Sequence, residues 1–70
     1  MKSLDLHGVR HSDAFEKVED FVMNNQFRVP LSIITGNSDT MKDMVIKALE
    51  EHDFKWEIKS HNPGEIIVIE

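Results

Sequence analysis

The feature that most constrains the fold of this chain is a repeated change in the spacing of its apolar residues. Residues 3–7 alternate, with Leu4 and Leu6 on one side, which is typical of a strand with one buried face. From Ser12 or Asp13 the spacing lengthens to three and four residues, which predicts an amphipathic helix. The same change recurs once more and is followed by two further apolar segments. The sequence therefore predicts the element order βαβαββ.

Turn residues and helix caps set the expected bounds of the later elements. After Pro30 the pattern predicts a strand at residues 31–35, a helix from 40 to about 52, and strands at 54–59 and 66–69. The last strand follows the turn signal Asn62-Pro63-Gly64. The expected helix caps are Ser12, or Asp13 paired with Glu16, for the first helix and Thr40 for the second.

The order of the elements also predicts how they are arranged. Two right-handed crossovers that travel in the same direction place both helices on one face of the sheet. The continuous apolar run at 66–69 suits a strand inside the sheet, paired as a hairpin with the alternating strand at an edge. We therefore expect an α/β fold with a four-stranded mixed sheet, both helices on one face and the other face open.

Length and composition limit the classes of protein to consider. Seventy residues form a single domain, expected to cover 1–70, and the lack of cysteine makes the reducing cytoplasm the expected location. No run approaches the roughly 20 apolar residues that a membrane span requires, so no membrane association is expected. The formal net charge of −5 disfavours strong sequence-blind binding to nucleic acid, so any such contact must be local.

Asp5 and His7 are the candidate catalytic residues. With the two leucines facing inward, both side chains project from the open face, about 7 Å apart along the strand. An imidazole beside a carboxylate that orients it suits general acid or base chemistry on a phosphodiester, or the holding of a metal-bound water. The alternative is two polar residues on a wet strand. Because Gly8 breaks helical geometry between His7 and His11, and cysteine is absent, no zinc site is expected.

A second candidate feature is the segment Thr35-Gly36-Asn37-Ser38. A glycine turn that leads from a strand into a helix can present free backbone N–H groups to a phosphate. The alternative is a tight connection with capping hydroxyls. Because the C-terminal ends of parallel strands lie together, this turn and the His7–Gly8 turn are expected at the same rim of the sheet.

Four basic residues are candidate contacts for nucleic acid, although an exposed basic side chain is more often just a solvated surface charge. Lys42 lies one turn into the second helix, and Arg10 flanks the first loop. Lys55 and Lys59 share the polar side of their strand, where they would form a basic strip on the open face.

The two motifs together resemble those of Smr (small MutS-related) domains. Leu4-Asp5-Leu6-His7-Gly8 is similar to the Leu-Asp-x-His signature that opens such domains, and Thr35-Gly36 falls where the family carries a Thr-Gly-x-Gly or His-Gly-x-Gly loop. The resemblance implies a two-layer α+β sandwich with strand order 1-2-4-3 and the layout of the C-terminal domain of bacterial translation initiation factor 3.

The resemblance also implies a function, which is nicking of DNA, cleavage of RNA or binding of either. Asp5 and His7 would take the catalytic or binding role of the family, Gly36 that of its glycine loop, and Lys42 falls near a basic position that often follows the loop. The chain departs from the pattern at Ser38, where the second glycine is expected.

Three hypotheses follow. In the first, the chain is an endonuclease in which His7 is general acid or base, Asp5 orients it or binds magnesium or manganese, and Gly36 holds a phosphate. In the second, it is a non-catalytic module that binds nucleic acid or associates with the ribosome, as the acidic total and Ser38 favour. In the third, it is a protein-interaction domain with an exposed apolar patch. A monomer is expected in each case.

Overall fold

The structure, a computed structural model, describes residues 1–70 and has the predicted element order. Neither helix is long and apolar enough to cross a membrane. A short 3-10 helix, Gln26–Arg28, follows the first α-helix directly. The elements are β1 (Ser3–Asp5), α1 (His11–Asn25), β2 (Leu31–Ile34), α2 (Asp39–Glu51), β3 (Trp56–Glu57) and β4 (Glu65–Val68).

The sheet has strand order β1-β2-β4-β3, which confirms the expected arrangement. β1 and β2 are parallel, whereas β4 is antiparallel to both β2 and β3. The apolar β4 therefore lies inside the sheet, as its continuous hydrophobic run indicated, and β1 and β3 form the edges. The fold is a mixed-sheet α+β domain.

Both helices cover one face of the sheet, and the core lies between these two layers. Leu31 and Ile33 of β2 are completely buried, and so are Ile66 and Val68 of β4, with which they pair in register. Each such side chain contributes about 1.5–3 kcal/mol to folding by leaving water. The helices supply the matching apolar surface from Ala14, Val18, Val22, Met41, Val45, Ala48 and Leu49.

Three strands are shorter than the sequence predicted, and β2 differs by a single residue because it ends at Ile34. β1 ends at Asp5 because its carboxylate accepts a hydrogen bond from the N–H of His7 and so turns the chain. β3 was expected at 54–59 but spans Trp56–Glu57. It pairs only with β4, and the chain beyond it leaves the sheet to form the loop that brings Gly64 against Gly36.

The helix caps also differ from expectation. α1 begins at His11 with Arg10 as its N-cap and no side-chain cap, so the capping role expected of Ser12, or of Asp13 with Glu16, is wrong. α2 is capped by Ser38, whose hydroxyl accepts a hydrogen bond from Met41 N at 3.1 Å. A cap must be the last extended residue before the helix; Ser38 is that residue, whereas Thr40 is already helical.

Candidate functional site

The C-terminal ends of β1 and β2 meet at one edge of the sheet, as predicted. The N–H of Leu6 donates to Ile34 O at 3.0 Å, so the two chains are still paired where they leave the sheet. Each then turns through a glycine in the left-handed region, Gly8 at φ +75° and Gly36 at φ +67°. An L-residue with a side chain would pay about 1–2 kcal/mol in this conformation. Both turns therefore favour glycine.

Asp5 and His7 form a hydrogen-bonded pair at this edge. The Asp5 Oδ1 atom accepts from the backbone N–H of His7 at 2.9 Å and lies 2.8 Å from the His7 Nδ1 atom. The strand spacing placed the two residues about 7 Å apart, but the turn after Asp5 folds the imidazole back onto the carboxylate. The contact thus depends on the early end of β1.

The electrostatics of the pair are set by the same two hydrogen bonds. The backbone N–H of His7, followed by its side chain, lowers the pKa of Asp5 below its ordinary value. The ionised form and its contacts are therefore fully present above about pH 3.9 and are lost as the pH falls through the lowered pKa. Because an ionised carboxylate only accepts hydrogen bonds, Nδ1 of His7 carries the hydrogen.

The second ring nitrogen of His7 faces the turn after β2. A Cβ atom built on Gly36 would lie 3.7 Å from His7 Nε2, so the imidazole stands beside this glycine. The side chains of His7 and Asp5 are 74% and 58% exposed, which leaves Nε2 accessible to a ligand. A histidine held through Nδ1 with a free Nε2 is suited to accept or donate a proton.

A third glycine, Gly64, completes the site, and sequence reasoning treated it only as part of a turn. Its carbonyl accepts hydrogen bonds from Thr35 N at 2.8 Å and Gly36 N at 3.1 Å. A Cβ atom on Gly64 would come within 3.3 Å of the Gly36 backbone. We call this edge of the sheet the glycine rim; it comprises the turns at Gly8, Gly36 and Gly64, the Asp5–His7 pair and the start of α2. Nothing in the sequence near Gly64 indicates its distant partner.

This contact changes which backbone groups are free to hold a phosphate. Thr35 and Gly36 use their N–H groups on Gly64, whereas those of Asn37 and Ser38 donate no hydrogen bond within the protein. The free donors therefore lie one or two residues beyond the glycine, at the start of α2. The oxygen of the Ser38 hydroxyl accepts the capping hydrogen bond of that helix, and its O–H remains a further donor.

The candidate basic residues fall into two groups. Arg10 is the N-cap of α1 and Lys42 lies in the first turn of α2, so both are at the end of the domain that carries the glycine rim. The three ion pairs of the chain are His7–Asp5, His52–Glu19 and Lys55–Glu70, so neither Arg10 nor Lys42 forms one. Both cations are therefore free to meet an anion.

The expected basic strip on the open face is not present. Lys55 does lie on that side, but its Nζ is 3.0 Å from the Glu70 carboxylate. Lys59 lines a groove of about 370 Å³ together with Glu57 and Glu65. Acidic neighbours thus offset both lysines, and the open face carries mixed charge.

The rim residues do not fit a resident divalent metal ion. Oδ1 of Asp5 is already engaged by two N–H groups of His7. No group of three or more His, Asp and Glu side chains is arranged to hold a metal. One free carboxylate oxygen is too few ligands for magnesium or manganese to be held by the protein alone.

Comparisons with known proteins agree with the motifs. The family model described as the Smr domain matches residues 4–66, nine-tenths of the 70-residue chain, a span that includes Asp5, His7, Gly36 and Gly64. The search of curated proteins and the search of solved structures found no significant match. The similarity to the translation initiation factor 3 domain therefore stays a prediction.

Proposed function

This chain belongs to the Smr domain family, and from that premise we propose that it is an endonuclease that cleaves phosphodiester bonds of RNA or DNA at the glycine rim. Membership of the family indicates nucleic-acid binding or nuclease-type function in general. The proposal adds catalysis and assigns it to His7, with Asp5 as the residue that orients the imidazole.

The observation that carries the proposal is the geometry of His7. Its Nδ1 is held 2.8 Å from Asp5, while Nε2 faces the Gly36 turn and is open to solvent. In the reaction Nε2 takes a proton from the attacking oxygen, which is water or an RNA 2′-hydroxyl, as the new O–P bond forms. It returns the proton to the leaving oxygen as the old P–O bond breaks.

Other residues of the rim support the same chemistry. The free N–H groups of Asn37 and Ser38 lie at the positive end of α2, where a phosphate oxygen is favoured. Arg10 and Lys42 add cationic charge at the same end of the domain. The carboxylate of Asp5 stabilises the imidazolium that forms when Nε2 is protonated.

A second candidate function is a nucleic-acid-binding module without catalysis. Two observations favour it: Gly64 occupies the N–H groups of Thr35 and Gly36, and Ser38 puts a side chain where the family loop has its second glycine. A rim with fewer free donors has less means of stabilising charge that develops on a phosphoryl group.

Cleavage assays separate the two functions. The chain is incubated with labelled single-stranded RNA and with supercoiled plasmid, in EDTA, magnesium or manganese. His7→Ala should lower the cleavage rate by about 10²- to 10⁴-fold. His11→Ala is the matched control, because His11 is exposed at the start of α1 and is expected to leave cleavage unchanged.

Each other outcome has a definite meaning. Binding of either nucleic acid with no cleavage by the unmodified chain would support the binding module. Equal cleavage by the unmodified chain and His7→Ala would show that the site is wrong. The cytoplasmic location, the monomeric state and an association with the ribosome stay predictions.

A further inference from the structure

Phe27 differs from every other aromatic residue of the chain. Its side chain is 95% exposed, although full burial of a phenylalanine would stabilise the fold by about 1.5–3 kcal/mol. The remaining aromatic residues are packed against the core: Phe15, Phe21, Phe54 and Trp56. Phe27 therefore contributes little to folding, and its position calls for another explanation.

The backbone around Phe27 is held in a defined turn. Phe27 is the central residue of the 3-10 helix that follows α1. The side chain of Asn25 donates to Phe21 O at 2.8 Å, and that of Gln26 donates to Met23 O at 3.2 Å. These bonds satisfy carbonyls at the end of α1 and fix the turn that presents the ring to solvent.

The charge around the ring is unusual for this chain. The chain has 13 acidic residues, yet residues 21–38 contain none. Arg28, next to Phe27, is exposed and forms no ion pair. Lys2 lies near the N-terminal end of β2, which follows Phe27 and Arg28, because the Lys2 carbonyl accepts a hydrogen bond from the N–H of Ser32 at 2.9 Å. The segment that carries Phe27 therefore presents a cation with no acidic residue near it in the sequence, while α2 and β4 bring Glu50, Glu51 and Glu70 to the same end of the domain.

We propose that Phe27 and Arg28 form a second contact site for single-stranded nucleic acid, in which the phenyl ring stacks on an unpaired base and the guanidinium contacts an adjacent phosphate. Stacking on an exposed aromatic side chain with a nearby cation is a common way to hold a single strand without reading its sequence. The inference rests on the proposed function for the identity of the ligand.

The site lies far enough from the glycine rim to bind a different nucleotide of the same strand. Phe27 precedes β2 and Gly36 follows it, so the two are separated by the length of that strand and its flanking residues, roughly 20 Å. The domain extends 27 Å in its longest direction. The two sites thus stand at opposite ends of the sheet, and only a strand of several nucleotides can reach both.

The surroundings of the ring favour a nucleic acid over a protein. Protein-docking sites usually present a contiguous apolar patch around a central aromatic residue. The chain neighbours of Phe27, Gln26 and Arg28, are polar and exposed, and the other exposed large apolar residues at this end of the domain are aliphatic: Met1, Met23 and Ile69. A single ring beside an unpaired guanidinium is better matched to a base and its phosphate.

The test measures binding of fluorescent single-stranded oligonucleotides by anisotropy, using the full chain with His7→Ala so that the strand stays intact. Adding Phe27→Ala should weaken binding of a 12-mer by about 5- to 100-fold, and Phe27→Leu should weaken it similarly because an aliphatic side chain cannot stack. Arg28→Gln should reduce the salt dependence by about one phosphate contact. A trimer is too short to span the two sites, and its binding at the rim should not change.

Met23→Ala is the matched control, because Met23 is another exposed apolar residue at the end of α1 and is 45% exposed. It should bind the 12-mer as the parent does. Equal 12-mer binding by the Phe27→Ala variant and its parent would overturn the proposal, and so would a loss caused equally by Met23→Ala. If Phe27→Ala spares the oligonucleotide but abolishes self-association, the ring is a protein contact and the proposal is wrong.

Failure of this inference is distinguishable from failure of the proposed function. Stacking is read from binding, whereas catalysis is read from cleavage by chains that retain His7. Binding that depends on Phe27 without any cleavage would refute the endonuclease and leave the second contact site. Cleavage that depends on His7, together with binding that does not depend on Phe27, would support the endonuclease and refute the second contact site.

Discussion

Two histidine–carboxylate pairs of nearly equal length occupy different regions of this protein. His7 Nδ1 lies 2.8 Å from Asp5, and His52 Nε2 lies 2.7 Å from Glu19. The first pair joins residues two apart in the chain and is mostly exposed, whereas the second joins residues 33 apart and is about 30% exposed. The same chemistry is therefore used in two settings.

The difference teaches that distance alone does not identify a functional histidine. His52 is the C-cap of α2, and its partner Glu19 belongs to α1, so that pair links the two helices. His7 links nothing beyond its own turn and keeps Nε2 open beside Gly36. We therefore interpret the exposed, local pair as chemical and the half-buried, long-range pair as structural.

The strongest test of the difference between the two pairs is to remove the carboxylate charge from each. Asp5→Asn should lower the cleavage rate by about 10- to 100-fold, because the imidazolium loses its compensating charge, although solvent screens an exposed pair. Glu19→Gln makes the same change in the other pair and should leave cleavage unaffected. Initial rates on the substrate that the unmodified chain cleaves provide the measurement. Equal losses in both variants would mean that the two pairs do not differ in function.

The two glycines at positive φ provide a second test, because only Gly36 lies beside His7 Nε2. Gly36→Ala and Gly8→Ala should each lower the free energy of unfolding by about 1–2 kcal/mol, because both residues have positive φ. Only Gly36→Ala places a methyl group 3.7 Å from Nε2, whereas a Cβ on Gly8 meets nothing within 4 Å. Gly36→Ala should therefore also slow cleavage. Urea unfolding checks the first statement and rates under folded conditions check the second; equal rates in both variants would contradict the assignment of Nε2.

The smallest expected effect concerns stability. His52→Ala should lower the free energy of unfolding by about 1 kcal/mol, because it leaves Glu19 half-buried without its partner. His7→Ala should change it by less than about 0.5 kcal/mol, since that side chain is exposed. Thermal unfolding followed by circular dichroism measures both. A larger loss for His7→Ala than for His52→Ala would reverse the interpretation of the two pairs.

The sequence predicted the fold and the joint location of two turns because those features follow from local periodicity. Alternation in β1 and the two helical patterns needed no knowledge of distant contacts, and the parallel pairing then brought His7 next to Gly36. The exposed face of Asp5 and His7 followed from Leu6, which is 2% exposed.

What the sequence did not predict depends on contacts between distant segments. The partnership of Gly64 with Gly36 joins residues 28 positions apart, and no local pattern marks it. The short β3 and the missing basic strip depend on how the β3–β4 loop leaves the sheet and where Glu70 meets Lys55. The cap of α2 was missed by two residues because the length of the Gly36 turn was not readable from composition.

The central position of β4 has a consequence for when the glycine rim can first assemble. β4 is the last strand of this domain in chain order, yet it lies between β2 and β3, and the segment just before it carries Gly64 to Gly36. A growing polypeptide that still lacks residues 65–68 therefore has neither a completed sheet nor an assembled rim. The turns at Gly8 and Gly36 therefore emerge during translation before the strand that completes their surroundings.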